Sequence, residues 1–242
     1  MNARSTSTRP ASPHAWMRRA ACALTLSVVV LTGSAMTTAE QAGAMNPPQT
    51  NAYYVVTLLG SGNQTASIAS YWTQTFASWN RAYAAPRITF YGDYYGNFAT
   101  KCGSTALQRN NGFYCVYDNA VYLDYEYMQD FMGPGGRYNL GDYAVGGFMA
   151  HEFGHGVEAW LGWSLQTFRS EYAADCLAGM YTRWGYTTGR LTGNDYWEFH
   201  NWLMTTPWST THGDPVMRTR WYRYGYDTQS VSACATAYQA TA

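Results

Sequence analysis

Charge is scarce in this sequence. Its 242 residues carry 15 Lys and Arg against 15 Asp and Glu, a formal net charge of zero. No basic run or patch is present, so the electrostatic footprint of a nucleic-acid binder is missing. Long apolar runs are missing too. The one from Ala20 to Leu31 is shorter than the ~20 residues a spanning helix needs. No Cys-x-x-Cys pair occurs, which argues against a cysteine zinc site. There is no internal repeat and no sign of a second domain.

The N-terminal segment has the order of a secretory signal peptide. Arg18 and Arg19 precede the apolar run, and small residues follow it. We assign residues 1–44 to this signal, with cleavage after Ala35 or Ala44. Residues 45–60, with Pro47 and Pro48, read as a tail or linker. Residues 61–242 read as one domain, large enough to bury a real core. Four cysteines then remain: Cys102, Cys115, Cys176 and Cys234. An even count in an exported chain points to disulfides, and four cysteines allow three pairings. We favour Cys102–Cys115, which closes a loop, and Cys176–Cys234, which ties the C-terminal segment to a central helix. Each such bridge is worth ~3 kcal/mol. Tyr and Trp are abundant; they bury area while keeping a polar tip wet, and by themselves name no ligand.

Aromatic and apolar residues from Ser67 to Tyr83 recur at helical spacing, and Pro86 ends that stretch. Arg87 to Tyr91 and Ala120 to Tyr125 read as strands, with a Gly- and Asn-rich loop between them. Asp142 is expected to cap a helix running to about Trp160, with Gly162 beyond its end. A second helix is expected from Thr167 to Trp184, stopped by Gly185. Asn194 opens a third, and Asp214-Pro215 a fourth, with Pro at the first helical position. This order gives an α+β fold.

The chemistry concentrates in His151-Glu152-Phe153-Gly154-His155. Residues four apart on a helix share a face, so both imidazoles can reach one ion. Glu152 stands beside the first of them and can act as general base on a metal-activated water. The helix also contains Gly146, Gly147, Gly154 and Gly156, each unfavourable by ~1 kcal/mol against Ala. Such residues are useful where another backbone or a substrate must come close. A catalytic zinc needs three protein ligands and one open position. The place where an extended motif has its third His holds Leu161. Glu171, on the next helix, is the favoured third ligand, with Asp175 one turn on as a hydrogen-bond acceptor for a ligand imidazole. Glu158 and Asp175 are the rival ligands.

These segments together resemble the neutral zinc metallopeptidase family of bacteria. The resemblance rests on Cys102-Gly103 through Phe113-Tyr114-Cys115, on Val121-Tyr122-Leu123-Asp124, and on Gly141-Asp142-Tyr143-Ala144 ahead of His151. It extends through Glu171, the run Ala174 to Gly179, His212-Gly213, Arg218 and Arg220-Trp221. It implies a zincin-like fold, with a small sheet beside a zinc-bearing helix pair. The chain departs from the family at Gly156, Glu158 and Tyr172-Ala173, and none of these removes a proposed ligand.

The expected activity is secreted, Zn2+-dependent hydrolysis of peptide bonds in a peptide or protein substrate. His212, on a loop before the last helix, is the candidate oxyanion donor. Tyr122 and its neighbours lie on a strand that could pair with an extended peptide. Two other readings stand beside this one. One is a non-catalytic, zinc-stabilised surface protein; the other is an amide hydrolase acting on cell-wall material. Oligomeric state and cleavage preference are not legible.

Overall fold

One long helix, expected from Asp142 to about Trp160, lies at the centre of the described residues and is buried almost throughout. In the computed structural model, residues 49–239 are described apart from 104–106, 134 and 166. The proposed signal peptide lies outside them. Among the described residues the first elements are α1 (Ala52–Gly60), α2 (Ile68–Ser78), β1 (Arg87–Tyr91), β2 (Gly112–Cys115), β3 (Ala120–Asp124) and α3 (Tyr125–Phe131). Then come α4 (Asp142–Leu161), α5 (Phe168–Thr187), α6 (Asp195–Thr205), α7 (Pro215–Thr228), α8 (Val231–Ala235) and a 3-10 turn (Thr236–Gln239). The fold is α+β. None of these helices is long and apolar enough to cross a membrane.

The sheet has the order β1-β3-β2. β1 runs parallel to β3 and β2 antiparallel to it, so Tyr122 faces Thr89 on one side and Phe113 on the other. β3 is therefore the central strand and has no free edge, which removes Tyr122 as a strand for peptide pairing. The outer strands are β1 and β2, and β2 lies in the stretch expected to be only a loop. The four residues Gly112 to Cys115 give too short a pattern to read as a strand.

α4 is buried almost throughout, from Asp142 to Glu158. A helix covered on all sides needs apolar or small residues all round. Its glycines permit that cover: a Cβ on Gly154 would lie 2.9 Å from the Ala174 backbone of α5. The next interface is closer still, because a Cβ on Gly225 of α7 would lie 1.8 Å from the Cys176 carbonyl oxygen. α4, α5 and α7 thus stack at near backbone contact. Two disulfides, Cys102–Cys115 and Cys176–Cys234, staple the loop before β2 and tie α8 to α5.

Several boundaries differ from expectation. The stretch read as a tail contains α1, whose Val55 and Leu59 are fully buried in the main core. Pro47 and Pro48 of that stretch lie outside the described residues. α3 follows directly on β3, with the Asp124 side chain capping it through the backbone N–H groups of Glu126 and Tyr127. Gly185 does not stop α5; it lies within the helix where the Leu191 side chain packs over it, and Gly189 (φ 71°) is the first left-handed residue after it.

Asp142 does not cap α4. The cap position is Gly141, and the Tyr143 backbone N–H is taken by the Glu198 carboxylate of α6 at 2.8 Å. Asp142 instead accepts from the Gln49 N–H at 2.6 Å. Asp142, Asp195 and Glu198 have oxygens within 4.8 Å of one another. Burial pushes the Asp195 carboxyl up to about 7 and the Glu198 carboxyl up to about 8, with Asp142 adding to both. An acid whose pKa is raised by folding holds its proton more tightly when folded, so stability falls as pH rises from the unfolded value near 4 toward 8. Glu198→Gln keeps an acceptor for Tyr143 and removes one titrating group. It is expected to flatten the decline of Tm between pH 5 and 8, by about 2–4 °C for each kcal/mol recovered. Thermal melts across that range test this; parallel curves for the two proteins would refute it.

Candidate metal centre

His151 and His155 occupy successive turns of α4, with ring centroids 4.7 Å apart. α5 crosses at Gly154 and brings Glu171 over both rings. Glu171 Oε2 lies 3.4 Å from His151 Nε2, and its Oε1 lies 3.4 Å from His155 Nε2. The three groups offer one ligand atom each within 4.8 Å. Glu171 is the favoured third group of the sequence reading, and the crossing of α4 and α5 brings it to the histidines.

Each imidazole is also held from behind. His151 Nδ1 meets Asp175 Oδ1 at 2.8 Å, and His155 Nδ1 meets Glu158 Oε2 at 2.7 Å. A carboxylate on one ring nitrogen sets the tautomer and leaves the other nitrogen's lone pair for a metal. Asp175 therefore stands where the sequence placed it, behind a histidine. Glu158, weighed as a rival ligand, takes the same role for His155. Three residues along the same helix, it reaches the inner nitrogen and not the outer one.

Arg218 was noted in the sequence without a role. It is 1% exposed, and its Nε donates to Asp175 Oδ2 at 2.7 Å while a terminal nitrogen donates to Oδ1 at 3.0 Å. The same guanidinium lies 3.6 Å from Glu171 Oε2. One signal could have found it: Arg218 follows the Asp214-Pro215 helix start by one turn, on the side that Gly225 presents to α5. Ser170 and Tyr238, which both contact Glu158, carried no sequence signal.

Burial works to raise the Glu171 carboxyl, but hydrogen bonds with the two imidazoles outweigh it and hold it well below the usual carboxylate range. Burial works to lower both imidazoles, and their carboxylate partners overcome it and raise them. Glu152 is buried and shifted the other way. Burial raises its carboxyl, while the two imidazoles and the Tyr114 backbone N–H partly offset this.

The centre forms the floor of a cleft of about 550 Å³. One wall is β2, from Gly112 to Tyr114; the other includes Trp202, Trp208 and His212. His212 sits on the exposed loop before α7, where its Nδ1 contacts the Thr211 hydroxyl at 3.0 Å and the Ser209 hydroxyl at 3.2 Å. Burial lowers its imidazole pKa against the pull of Glu171.

Two imidazoles and a carboxylate on packed helices, beneath an open cleft, form a donor set of the kind that catalytic zinc sites use. The family model described as "Putative neutral zinc metallopeptidase" matches residues 24–237, and the chain belongs to that family. The chain is 31% identical to the uncharacterized protein YpfJ of Escherichia coli (strain K12), over 68% of this chain and 66% of that protein. It is 25% identical to the uncharacterized protein Rv2575 of Mycobacterium tuberculosis (strain H37Rv), over 64% of this chain and 63% of that one. The chain thus spans slightly less than two thirds of the length of these relatives. No solved structure matches it.

Breaking a buried ion pair leaves an uncompensated charge at a cost of about 3–5 kcal/mol. Arg218→Met is expected to lose stability of that order in urea unfolding, because it strands Asp175. A loss below about 1 kcal/mol would show that the pair does not hold the centre.

Proposed function

We propose that the protein is a secreted, zincin-like zinc peptidase, with the metal on His151, His155 and Glu171. One observation carries this reading. Both Nε2 atoms lie 3.4 Å from the two oxygens of one carboxylate, while both Nδ1 atoms are tied to other carboxylates. Two imidazoles and one carboxylate suit zinc. Zinc bound there would lower the pKa of water to about 7 and polarise the scissile carbonyl.

The chain's own groups supply the rest. Glu152, in the same cleft, takes the proton of the attacking water and passes it to the leaving nitrogen. Its raised carboxyl pKa suits a group that must both accept and return a proton. His212, on the cleft wall, donates to the oxyanion. The substrate is a peptide or protein segment bound in extended form. The outer edge of β2 supports this: Gly112 to Tyr114 line the same cleft as Glu152, so a strand added there would run past the general base. The two disulfides support export. The centre does not favour a non-catalytic zinc protein. Such sites are usually closed by four protein ligands, and among the described residues this cluster has three.

Glu152→Gln is expected to retain zinc and lose at least ~100-fold in peptide turnover. His155→Ala is expected to lose both metal and activity. Metal analysis and cleavage of casein and short peptides, with peptidoglycan in parallel, read out these effects. Unimpaired turnover by Glu152→Gln would reject the mechanism, and hydrolysis of peptidoglycan alone would reject the substrate class.

A further inference from the structure

The two carboxylates behind the histidines are both buried completely but are balanced differently. Asp175 accepts two hydrogen bonds from the Arg218 guanidinium, a fixed cation. Glu158 meets His155 Nδ1, the Ser170 hydroxyl at 2.8 Å and the Tyr238 hydroxyl. Apart from the imidazole, those partners are neutral. A buried carboxylate without a fixed cation depends on every donor aimed at it. Ser170 and His155 both lie on Oε2, which leaves Tyr238 as the donor on Oε1.

Tyr238 comes from far away in the chain and is anchored on several sides. It sits in the 3-10 turn Thr236–Gln239, four residues beyond Cys234, whose disulfide partner Cys176 adjoins Asp175 on α5. Ala237 is buried with Tyr172 and Ala173 of α5, and the Trp163 ring packs edge-on to the Tyr238 ring with centroids 5.6 Å apart. The hydroxyl also lies 2.7 Å from the Ser164 carbonyl oxygen, a second acceptor that competes with Glu158 for its one proton.

We propose that Tyr238 is a positioning residue of the metal centre: its hydroxyl holds Glu158, Glu158 holds His155, and the Cys176–Cys234 bridge holds the turn that carries Tyr238. This rests on the metal centre proposed above. The histidine backed by Asp175 is set by an ion pair to α7, whereas the one backed by Glu158 is set by neutral donors that include the C-terminal 3-10 turn.

The test is zinc affinity by chelator competition on the full chain, with the electronic spectrum of the cobalt-substituted protein as a second readout. Tyr238→Phe removes one oxygen and keeps the ring contact with Trp163. It is expected to weaken zinc binding about 10-fold or more, by the usual size of outer-shell effects, and to shift the cobalt bands. Tm of the metal-free protein should fall by about a few degrees, because a buried carboxylate loses a donor, and zinc affinity is therefore read under conditions where the variant is folded. Because Tyr238 acts through Glu158, the double variant Tyr238→Phe/Glu158→Gln should bind zinc no worse than Glu158→Gln alone. Should the Phe variant not fold, Cys176→Ser/Cys234→Ser, which frees the turn, is expected to weaken zinc binding likewise. Parent-like affinity and spectrum in a folded Tyr238→Phe, or fully additive losses in the double variant, would overturn the proposal. Failure of the parent chain to bind either metal would instead bring down the metal centre itself, and this inference with it.

Discussion

Two imidazoles on one helix face a common point only if something restrains each ring, because a histidine side chain has two free torsions. Here the restraint is a buried carboxylate on each inner nitrogen, 2.8 Å from His151 and 2.7 Å from His155. Much of the fold follows from this requirement. Asp175 reaches His151 only because α5 touches α4 at Gly154, where a side chain would meet the Ala174 backbone. Asp175 can stay charged there because α7 brings in Arg218, and α7 comes close enough because Gly225 lies against the Cys176 carbonyl. Small residues at two helix crossings thus decide the electrostatics of a site one turn away.

Charge is scarce in the chain as a whole but concentrated here. Glu152, Glu158, Glu171, Asp175, two histidines and Arg218 lie within one buried cluster. Isolated, each ion would be expensive to desolvate. Together, each charged oxygen or nitrogen finds a partner of opposite sign or a donor, which is the condition under which buried charges persist. Glu152 is the exception in direction. Burial raises its carboxyl more than the imidazoles lower it, the opposite of the shift at Glu171.

The sequence made much of this legible, through particular residues. The His151–His155 spacing, the Glu171–Asp175 spacing and the helical periodicity around them are local patterns, and local patterns survive in a one-dimensional reading. Both disulfides match the favoured pairing, one closing a loop and the other tying the C-terminal segment to a central helix. What was lost depended on long-range contact. β2 has four residues and is a strand only because β3 pairs with it. α1 follows two prolines and is helical within a segment that looked like a linker, because Val55 and Leu59 have a core to enter. Glu198, not Asp142, meets the first free N–H of α4, a contact between residues 55 positions apart. Arg218 and Tyr238 carry no spacing relation to the motif they support. Their roles exist only once α7 and the 3-10 turn are docked.

The same geometry explains why Glu171 and not Glu158 faces the outer nitrogens. A residue three positions along its own helix lies beside the histidine, on the flank of the ring nearer the backbone, and so meets Nδ1. The outer nitrogen points away from α4, and a group that reaches it must descend from another element. α5 supplies that group in its first turn, where the helix dipole favours a negative charge. One carboxylate with an oxygen toward each ring then closes the protein side of the site, and the cleft wall formed by β2 remains open to solvent and substrate. Moving the third carboxylate onto α4 would leave Asp175 and Ser170 as the polar groups that join α5 to α4 here. Neither of these reaches an outer nitrogen, so the crossing at Gly154 would bring the helices together without completing the donor set.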